Sequence, residues 1–313
     1  MSAFLCFGEV LFDGLPTGPV VGGAPLNVAL HLHQWGQPTH IASCLGPDAH
    51  AETLRAFLNE RKFPLIGLAQ HASWRTGWVD VTLDAKGSPS YDICAPAAWD
   101  GIPYDAALAG QAEILVFGSL ALRNAESRLA LHRYLSAVPR RVMDINLRAP
   151  YVDWKVIEPF MRQVEVIKLN RDELHEWMNF RELSASQDGC EDLALFAEHF
   201  PQAEHILVTD GAAGAYLLAG GNVWHHPIFP VDVVDTVGSG DAFLAGYLYA
   251  QAQGLSIADT LRWASAAACH VSGSQGATPV LPLELIDDFL ATHPPMNDRA
   301  ECVEVKVHHQ ESK

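Results

Sequence analysis

The sequence predicts an α/β fold, a mostly parallel sheet covered by helices with a small β-sheet lid, and three observations predict it. Short apolar runs recur along the chain ("FLCFGEVLF", "THIASCL", "EILVFGS", "RVMDIN", "EVIKLN" and "HILVTD"), with segments of helix length between them. That alternation is how parallel strands joined by crossover helices read. Most of these runs end in polar residues, as strands do when a ligand binds beyond their carboxyl ends. One stretch breaks the alternation and reads as a hairpin outside the main sheet.

The elements follow in order. The start, "MSAFLCFGEVLFDG", has no basic region before its apolar run, and Gly8, Glu9 and Asp13 interrupt it. It reads as a first strand, not a signal peptide. "GGAPLNVALHLHQWG" fits a helix, with Pro25 near its first turn and Gly36 as its stop. Between Trp74 and Ala95, residues alternate in strand fashion around a turn at Lys86 and Gly87. The strand-rich segment from Phe12 to Val21 joins this hairpin, so the lid is expected from residues 12–21 and 74–95. "SIADTLRWASAAACHV" fits another helix, opened by the S-x-x-D pair Ser256 and Asp259. Residues 1–293 show no internal repeat, linker or shift in composition and read as a single domain. In residues 294–313, Val303, Val305 and Val307 alternate with charges, which reads as an edge strand or a loose tail.

Composition narrows the partners. The chain has 20 Lys and Arg against 37 Asp and Glu, a formal charge of −17 without any basic run. This opposes binding to nucleic acid or to an anionic membrane. An anionic substrate would need a locally positive site made of N–H dipoles, a metal ion or a few arginines. The cysteines Cys6, Cys44, Cys94, Cys190, Cys269 and Cys302 form no C-x-x-C. Neither a zinc ribbon nor a disulfide scaffold is suggested, and a reducing cytoplasm is the simplest setting. Apolar runs fall short of the ~18 residues at which a membrane span is read.

Polar residues end the predicted strands: Ser119, then Asp144 and Asn146, then Asn170, then Thr209 and Asp210. Each either lines a crevice at the carboxyl ends or caps the helix that follows. No Gly-Lys dipeptide occurs, so there is no Walker A loop, and neither G-x-G-x-x-G after a strand nor G-x-S-x-G is present. The pairs His225–His226 and His308–His309 lack the i, i+4 spacing of helical metal ligands.

The most informative stretch is "DTVGSGDAFLAGY", Asp235 to Tyr247. Glycines leading straight into a helix expose backbone N–H groups at its positive end, an anion-binding device. The N–H groups of Val237 to Asp241 are placed to stabilise charge on a transferring phosphoryl group. Asp241 then makes sense as a general base that takes the proton of an attacking hydroxyl. The competing reading is an ordinary first-turn acid favoured by the helix dipole.

"DTVGSGDAF" resembles the C-terminal signature D-T-x-G-A-G-D of the ribokinase-like PfkB carbohydrate kinases, and "VGGAPLNVALHLHQWG" resembles their N-terminal glycine signature. The resemblance runs from "GEVLFDG" to "QGATPVLP", nearly the whole chain. It implies a three-layer α/β/α fold and ATP-dependent phosphorylation of a sugar hydroxymethyl group. Asp241 is then the base, with Gly238, Ser239 and Gly240 as the anion hole. Asp13, Gly22, Gly23 and Asn27 fall at sugar-contacting positions, and Asn146 and Arg148 in "MDINLR" lie near sugar and phosphates. Asn170 and Glu173 match the N-x-x-E element tied to Mg2+ and phosphate, with Glu173 acting through water. Thr209, Gly211 and Gly214 match a nucleotide-contacting turn, Ser265 and Gly276 the adenosine pocket, and Asp235 a monovalent-cation position, K+ first.

Ser239 stands where alanine is usual, Ser265 where asparagine is common, and eight residues separate Asp13 from Gly22, a trimmed first lid element. The resemblance also implies a homodimer paired through the lid. "GGAPLNVA", "MDINLR" and "AAWDGI" look most like bacterial fructokinases, so fructose to fructose 6-phosphate is the favoured reaction. A 2-keto-3-deoxygluconate kinase is second, with Arg75, Arg123 or Arg148 available for an acidic sugar, and a nucleoside kinase third. A non-catalytic sugar or nucleotide sensor is the alternative from another class, and intact Asp241, Gly238 and Gly240 argue against it.

Overall fold

The computed structural model describes residues 3–15, 18–83, 89–186 and 188–293. The expected turn at Lys86 and Gly87 and the expected strand or tail at residues 294–313 lie outside the described residues. The chain packs into two compact units, Met1–Pro139 and Arg140–Lys313.

The first unit opens with β1 (Phe4–Phe7), β2 (Leu11–Leu15), β3 (Gly18–Gly22), α1 (Ala24–Gln34), β4 (Thr39–Leu45) and α2 (Ala49–Glu60). It continues with β5 (Leu68–Gln70), β6 (Gly77–Leu83), β7 (Pro89–Ile93), α3 (Ala106–Ala109), β8 (Ile114–Gly118) and α4 (Ala125–Ala137). Its parallel strands run in the order β8, β1, β4, β5. All four residues of β1 have zero exposure, which is why this strand reads as an unbroken apolar run without alternation. Each such side chain contributes about 1.5–3 kcal/mol of burial. Helix α1 starts with Pro25 in its first turn, and Gly36 follows its end at φ +76°, a left-handed stop that a side chain would strain.

A separate four-stranded sheet runs β3, β2, β6, β7. Strand β2 pairs antiparallel with β3 and parallel with β6, and β6 pairs antiparallel with β7. The two segments expected to form a lid therefore do make one sheet. Its base is anchored by Asp48, which caps α2 through the Ala51 N–H at 3.0 Å and accepts from the Thr76 N–H at 2.8 Å and the Thr76 hydroxyl at 2.7 Å. Burial would push the Asp48 carboxyl up, but these donors outweigh it and hold it below its usual range.

Beside β7, the guanidinium of Arg123 forks onto Asp100 at 2.7 and 2.8 Å, donates to the Cys94 carbonyl at 3.0 Å and lies 3.9 Å from the Trp99 ring centroid. Both charged side chains are almost fully buried. Breaking such a pair from one side strands a buried charge, at about 3–5 kcal/mol. Arg123→Met should lower the unfolding free energy by that order in a urea titration, and a loss below ~1 kcal/mol would refute the assignment.

The second unit contains β9 (Arg140–Asp144), α5 (Trp154–Met161), β10 (Val166–Asn170), α6 (Arg171–Phe180), α7 (Gly189–His199) and β11 (His205–Thr209). A hairpin of β12 (Ala215–Ala219) and β13 (Asn222–His226) follows, then α8 (Ser239–Ala252), α9 (Ile257–Ser272) and α10 (Leu283–Thr292). Strands β9, β10 and β11 are parallel neighbours, and β12 and β13 extend them antiparallel. Helix α9 is capped as its sequence predicts, the Ser256 hydroxyl accepting from the Asp259 N–H at 3.1 Å. Helix α8 is buried nearly all round. A Cβ at Gly246 would stand 2.9 Å from the Cα of Ala264, so this glycine lets α8 close against α9.

Candidate active site

Among the described residues, seven helices, α2 through α7 and α9, begin with a side-chain oxygen accepting from their first turn. Helix α8 does not: its N-cap is Gly238, in the left-handed region at φ +79°, with no side-chain cap. The N–H groups of a helix's first turn have no acceptor within the helix. Leaving this 14-residue helix uncapped keeps its positive end available to an anion. Gly238 is obligatory on two grounds, its φ and a Cβ position 2.6 Å from the Ala277 backbone.

The loop before α8 is held by its own residues. Asp235 accepts from the Val237 N–H at 3.0 Å and the Gly276 N–H at 3.2 Å, so one carboxylate joins the glycine loop to the segment after α9. The Ser239 hydroxyl donates back to the Thr236 carbonyl at 2.9 Å, a local bond that alanine at this position would lack. Asp241, third residue of α8, is buried at 8 % exposure.

Under this first turn lies a residue that the sequence reading missed. A Cβ at Gly240 would stand 3.1 Å from the Nζ of Lys168 in the middle of β10. Lys168 is 5 % exposed and meets both oxygens of Asp144, its register partner on β9, at 3.0 and 3.1 Å. Burial alone would lower the pKa of this ammonium, but the charges of Asp144, Glu173 and Asp241 outweigh it and hold it above its ordinary value. Burial pushes Asp144 the other way, and the two short contacts favour the ionised pair. The signal was present in "VIKLN": a lone lysine in a strand buried on both sides requires a partner.

Glu173 is also buried. One of its oxygens accepts from the Leu147 N–H at 2.7 Å and the other from the Asn170 N–H at 2.8 Å, while the Asn170 side chain accepts from the Glu173 N–H at 2.9 Å. This is a capping box at the start of α6. Asn170 and Glu173 are thus fixed to each other and to the 145–148 segment. Burial raises the Glu173 carboxyl despite the pull of Lys168 and the two N–H groups. Asn146 sits on that segment at φ +40°, a conformation unusual for a side-chain-bearing residue. Arg148 is exposed, donating to the Leu147 carbonyl at 2.9 Å.

The expected nucleotide turn begins at the carboxyl end of β11, where Thr209 is the register partner of Asn170. Gly211 has φ +47° and Gly214 φ +99°, and a Cβ at Gly214 would meet the His226 carbonyl at 2.1 Å. Ser265 is turned onto its own helix, donating to the Leu261 carbonyl at 2.9 Å, and no bond joins it to the glycine loop among the described residues. Gly276, at φ +79°, is tied to that loop through Asp235.

The expected sugar residues belong to the first unit. A Cβ at Gly22 would lie 2.6 Å from the Asp13 carboxylate across the β2–β3 pair. Gly23, at φ +113°, backs onto the Glu9 carbonyl, where a Cβ would come to 2.4 Å. Its own carbonyl accepts from the N–H of Asn27, buried in the first turn of α1, at 2.9 Å. Asp13 with Gly22, and Gly23 with Asn27, are brought together in pairs. Arg123, a candidate for an acidic sugar, is instead committed to Asp100 and Trp99.

Among the described residues, no three His, Cys, Asp or Glu side chains form a metal cluster, and no helix is long and apolar enough to cross a membrane. A fructokinase of Klebsiella pneumoniae is 28% identical over 299 residues, covering 88% of this chain and 94% of that protein. An aminoimidazole riboside kinase of Salmonella typhimurium is 25% identical over 291 residues, covering 87% and 88%. The structure of a fructokinase with bound ATP from Xylella fastidiosa superposes with a TM-score of 0.83 at 25% identity, covering 93% of this chain and 98% of that one. Residues 17–284 match the pfkB family carbohydrate kinase description, a span that takes in β3, α1, the glycine loop and α8; the chain belongs to the pfkB family of carbohydrate kinases.

Proposed function

We propose that the protein is an ATP-dependent sugar kinase that phosphorylates a hydroxymethyl group, with fructose to fructose 6-phosphate as its reaction. The observation that carries this reading is the uncapped start of α8, with Asp241 buried in its first turn and Lys168 beneath Gly240. In the reaction the substrate hydroxyl gives its proton to the Asp241 carboxylate as its oxygen bonds to the γ-phosphorus. The bond from that phosphorus to the β-phosphate oxygen breaks, and ADP leaves. First-turn N–H groups and the Lys168 ammonium oppose the charge of the transferring group.

Asp13, Gly22, Gly23, Asn27, Asn146 and Arg148 are assigned to the sugar. Carboxylate and amide groups supply directed hydrogen bonds, and the glycines admit the ring close to the backbone. Thr209, Gly211, Gly214, Ser265 and Gly276 are assigned to the nucleotide. Mg2+ would supply phosphate charge neutralisation, held by nucleotide oxygens and water with Glu173 behind it, since both Glu173 oxygens already accept N–H bonds. A monovalent cation, K+ first, is assigned to Asp235. Sugar and ATP are the partners, the compartment is the cytoplasm, and the small sheet is the face for a second copy, where Leu15 and Val20 are exposed.

The 25% identical riboside kinase favours a nucleoside-like acceptor as the second reading. The commitment of Arg123 to Asp100 weakens an acidic sugar. Release of ADP from Mg-ATP should be measured across fructose, ribose, 2-keto-3-deoxygluconate, tagatose and adenosine, with and without K+. Turnover highest on fructose is expected; a hundredfold preference for another acceptor would replace it. Sugar binding without ADP release would point to a sensor.

A further inference from the structure

At the carboxyl ends of β10 and β11, beside the site but outside every assignment above, the guanidinium of Arg171 is the hub of a partly buried network. Its Nε donates to the His175 ring at 2.8 Å and its Nη2 to the Ser186 carbonyl at 3.1 Å. It is ion-paired with Asp192 at 3.0 Å and with Asp210 at 3.5 Å. Asp192, at 1 % side-chain exposure, also accepts from the Ser186 N–H at 2.7 Å. A Cβ at Gly189 would stand 2.4 Å from Arg171 Nη1, so α7 begins with the one residue that leaves room for the fork.

Asp192 and Ser186 account for a structural role, joining α6 to α7. Asp210 is different. It is the more exposed acid, at 26 % against 1 %, its side chain makes no cap bond to the 3-10 turn that follows it, and it stands in the turn at residues 209–214. The same turn is held at its far end by His225, whose Nε2 donates to the Ala213 carbonyl at 2.8 Å while its ring stacks on Tyr216. The turn's own backbone closes it, the Asp210 N–H donating to the Gly214 carbonyl and the Ala213 N–H to the Asp210 carbonyl, each at 2.8 Å, and the side chains of Arg171 and His225 anchor it from outside.

What the turn faces follows from register. Lys168, under the uncapped end of α8, is two residues before Asn170 on β10, and Asn170 lies opposite Thr209 on β11. A strand rises ~3.3 Å per residue and its neighbour lies ~4.8 Å away. A polyphosphate that begins at the α8 end and runs across the carboxyl ends of these strands reaches residues 209–214 within its own length. There the turn offers glycines, and its single acid, Asp210, would repel phosphate unless a cation held it aside.

We propose that Arg171 is a positioning residue that sets the 209–214 turn for a nucleoside triphosphate, acting through Asp210. The proposal rests on the kinase reading above. Arg171 touches neither sugar nor reacting atoms; it fixes the acid and, with it, the backbone of the turn.

Arg171→Ala would abandon the buried Asp192 and risk the fold, so the test uses Arg171→Lys, Asp210→Ala and the double variant. A lysine keeps the charge beside Asp192 but lacks the fork that reaches Asp210 as well. Thermal unfolding, the Kd for Mg-ATP by calorimetry without sugar, and the KM values and kcat are measured for each. Each single variant should raise Kd and KM for Mg-ATP about three- to tenfold, with kcat and the sugar KM within about twofold. The double variant should be no worse than either single, because both cut one link. The sign for Asp210→Ala is decisive, since removing an acid near a polyphosphate by charge alone tightens binding. Tighter or unchanged Mg-ATP binding in Asp210→Ala, additive effects in the double, or a lower unfolding temperature with unchanged KM would each overturn the proposal. A parent protein that binds no Mg-ATP would overturn the kinase reading itself, a result distinguishable from all of these.

Discussion

Asp241→Asn should lower kcat by about 10²–10⁴, the contribution of a positioned general base, while leaving the binding of sugar and Mg-ATP within a few-fold of the parent. The amide has the size of the carboxylate, so the buried position in the first turn of α8 is refilled without a cavity. Losing an acid from a helix's first turn costs only about 0.3–1 kcal/mol, so the fold should survive. What the amide cannot do is take a proton from the attacking hydroxyl. Calorimetric titration with sugar and with Mg-ATP, set beside single-turnover ADP formation, separates the two functions. If Asp241 were only a dipole-stabilising acid, the variant would lose a little stability and keep its rate. A kcat within tenfold of the parent would therefore remove Asp241 from the chemistry and leave the α8 terminus as an anion-binding site alone.

The sequence made this residue visible because the device is local. A glycine loop, an acid and an apolar helix lie within thirteen residues, and each has a conformational reason that composition displays. The strands were legible for a similar reason: "THIASCL" is β4, and "VIKLN" is β10. The hairpin near residues 74–95 showed its alternation, and its union with β2 and β3 into one sheet was expected from strand content. The β12–β13 pair was not read, since "AYLLAGGNVWHH" carries its turn glycines between runs too short to outweigh the helical pattern around them.

The polar strand ends divided between the two meanings that a sequence leaves open. Asn170 is a cap, and N-x-x-E is itself the capping-box spacing, so its local role could have been read directly. Asp144 is neither cap nor lone crevice acid but half of an ion pair with Lys168, 24 residues away. Register between parallel strands brings that pair together, and register is set by the packing of a whole sheet. Arg123 with Asp100 and Arg171 with Asp210 also pair across separate elements, though not through strand register. Charged pairs across elements carry no local periodicity, so only an unexplained charge in an apolar run announces them.

Lys168 follows that rule and should have the second-largest effect. Lys168→Met is expected to lower kcat by about 10²-fold or more, the loss seen when one preorganised donor to a developing charge is removed. It also strands the buried Asp144 carboxylate, at about 3–5 kcal/mol, so a drop in activity alone would not separate chemistry from folding. The double variant Lys168→Met with Asp144→Asn does. It replaces the ion pair with a methionine and a neutral amide, and a buried pair exchanged for neutral groups of similar size loses far less stability than a pair broken from one side. Asp144→Asn alone keeps the ammonium under Gly240 and should retain most turnover. If the double variant regains its unfolding temperature and stays slow, the charge beneath the first turn of α8 acts on the phosphoryl group. If turnover returns with stability, Lys168 serves only to fold β10 against β9, and the α8 terminus must stabilise the transferring group with its N–H groups and metal ions alone. The position of Nζ decides the expectation: a lysine needed only for Asp144 has no reason to approach a helix start that opens with a left-handed glycine and no side-chain cap.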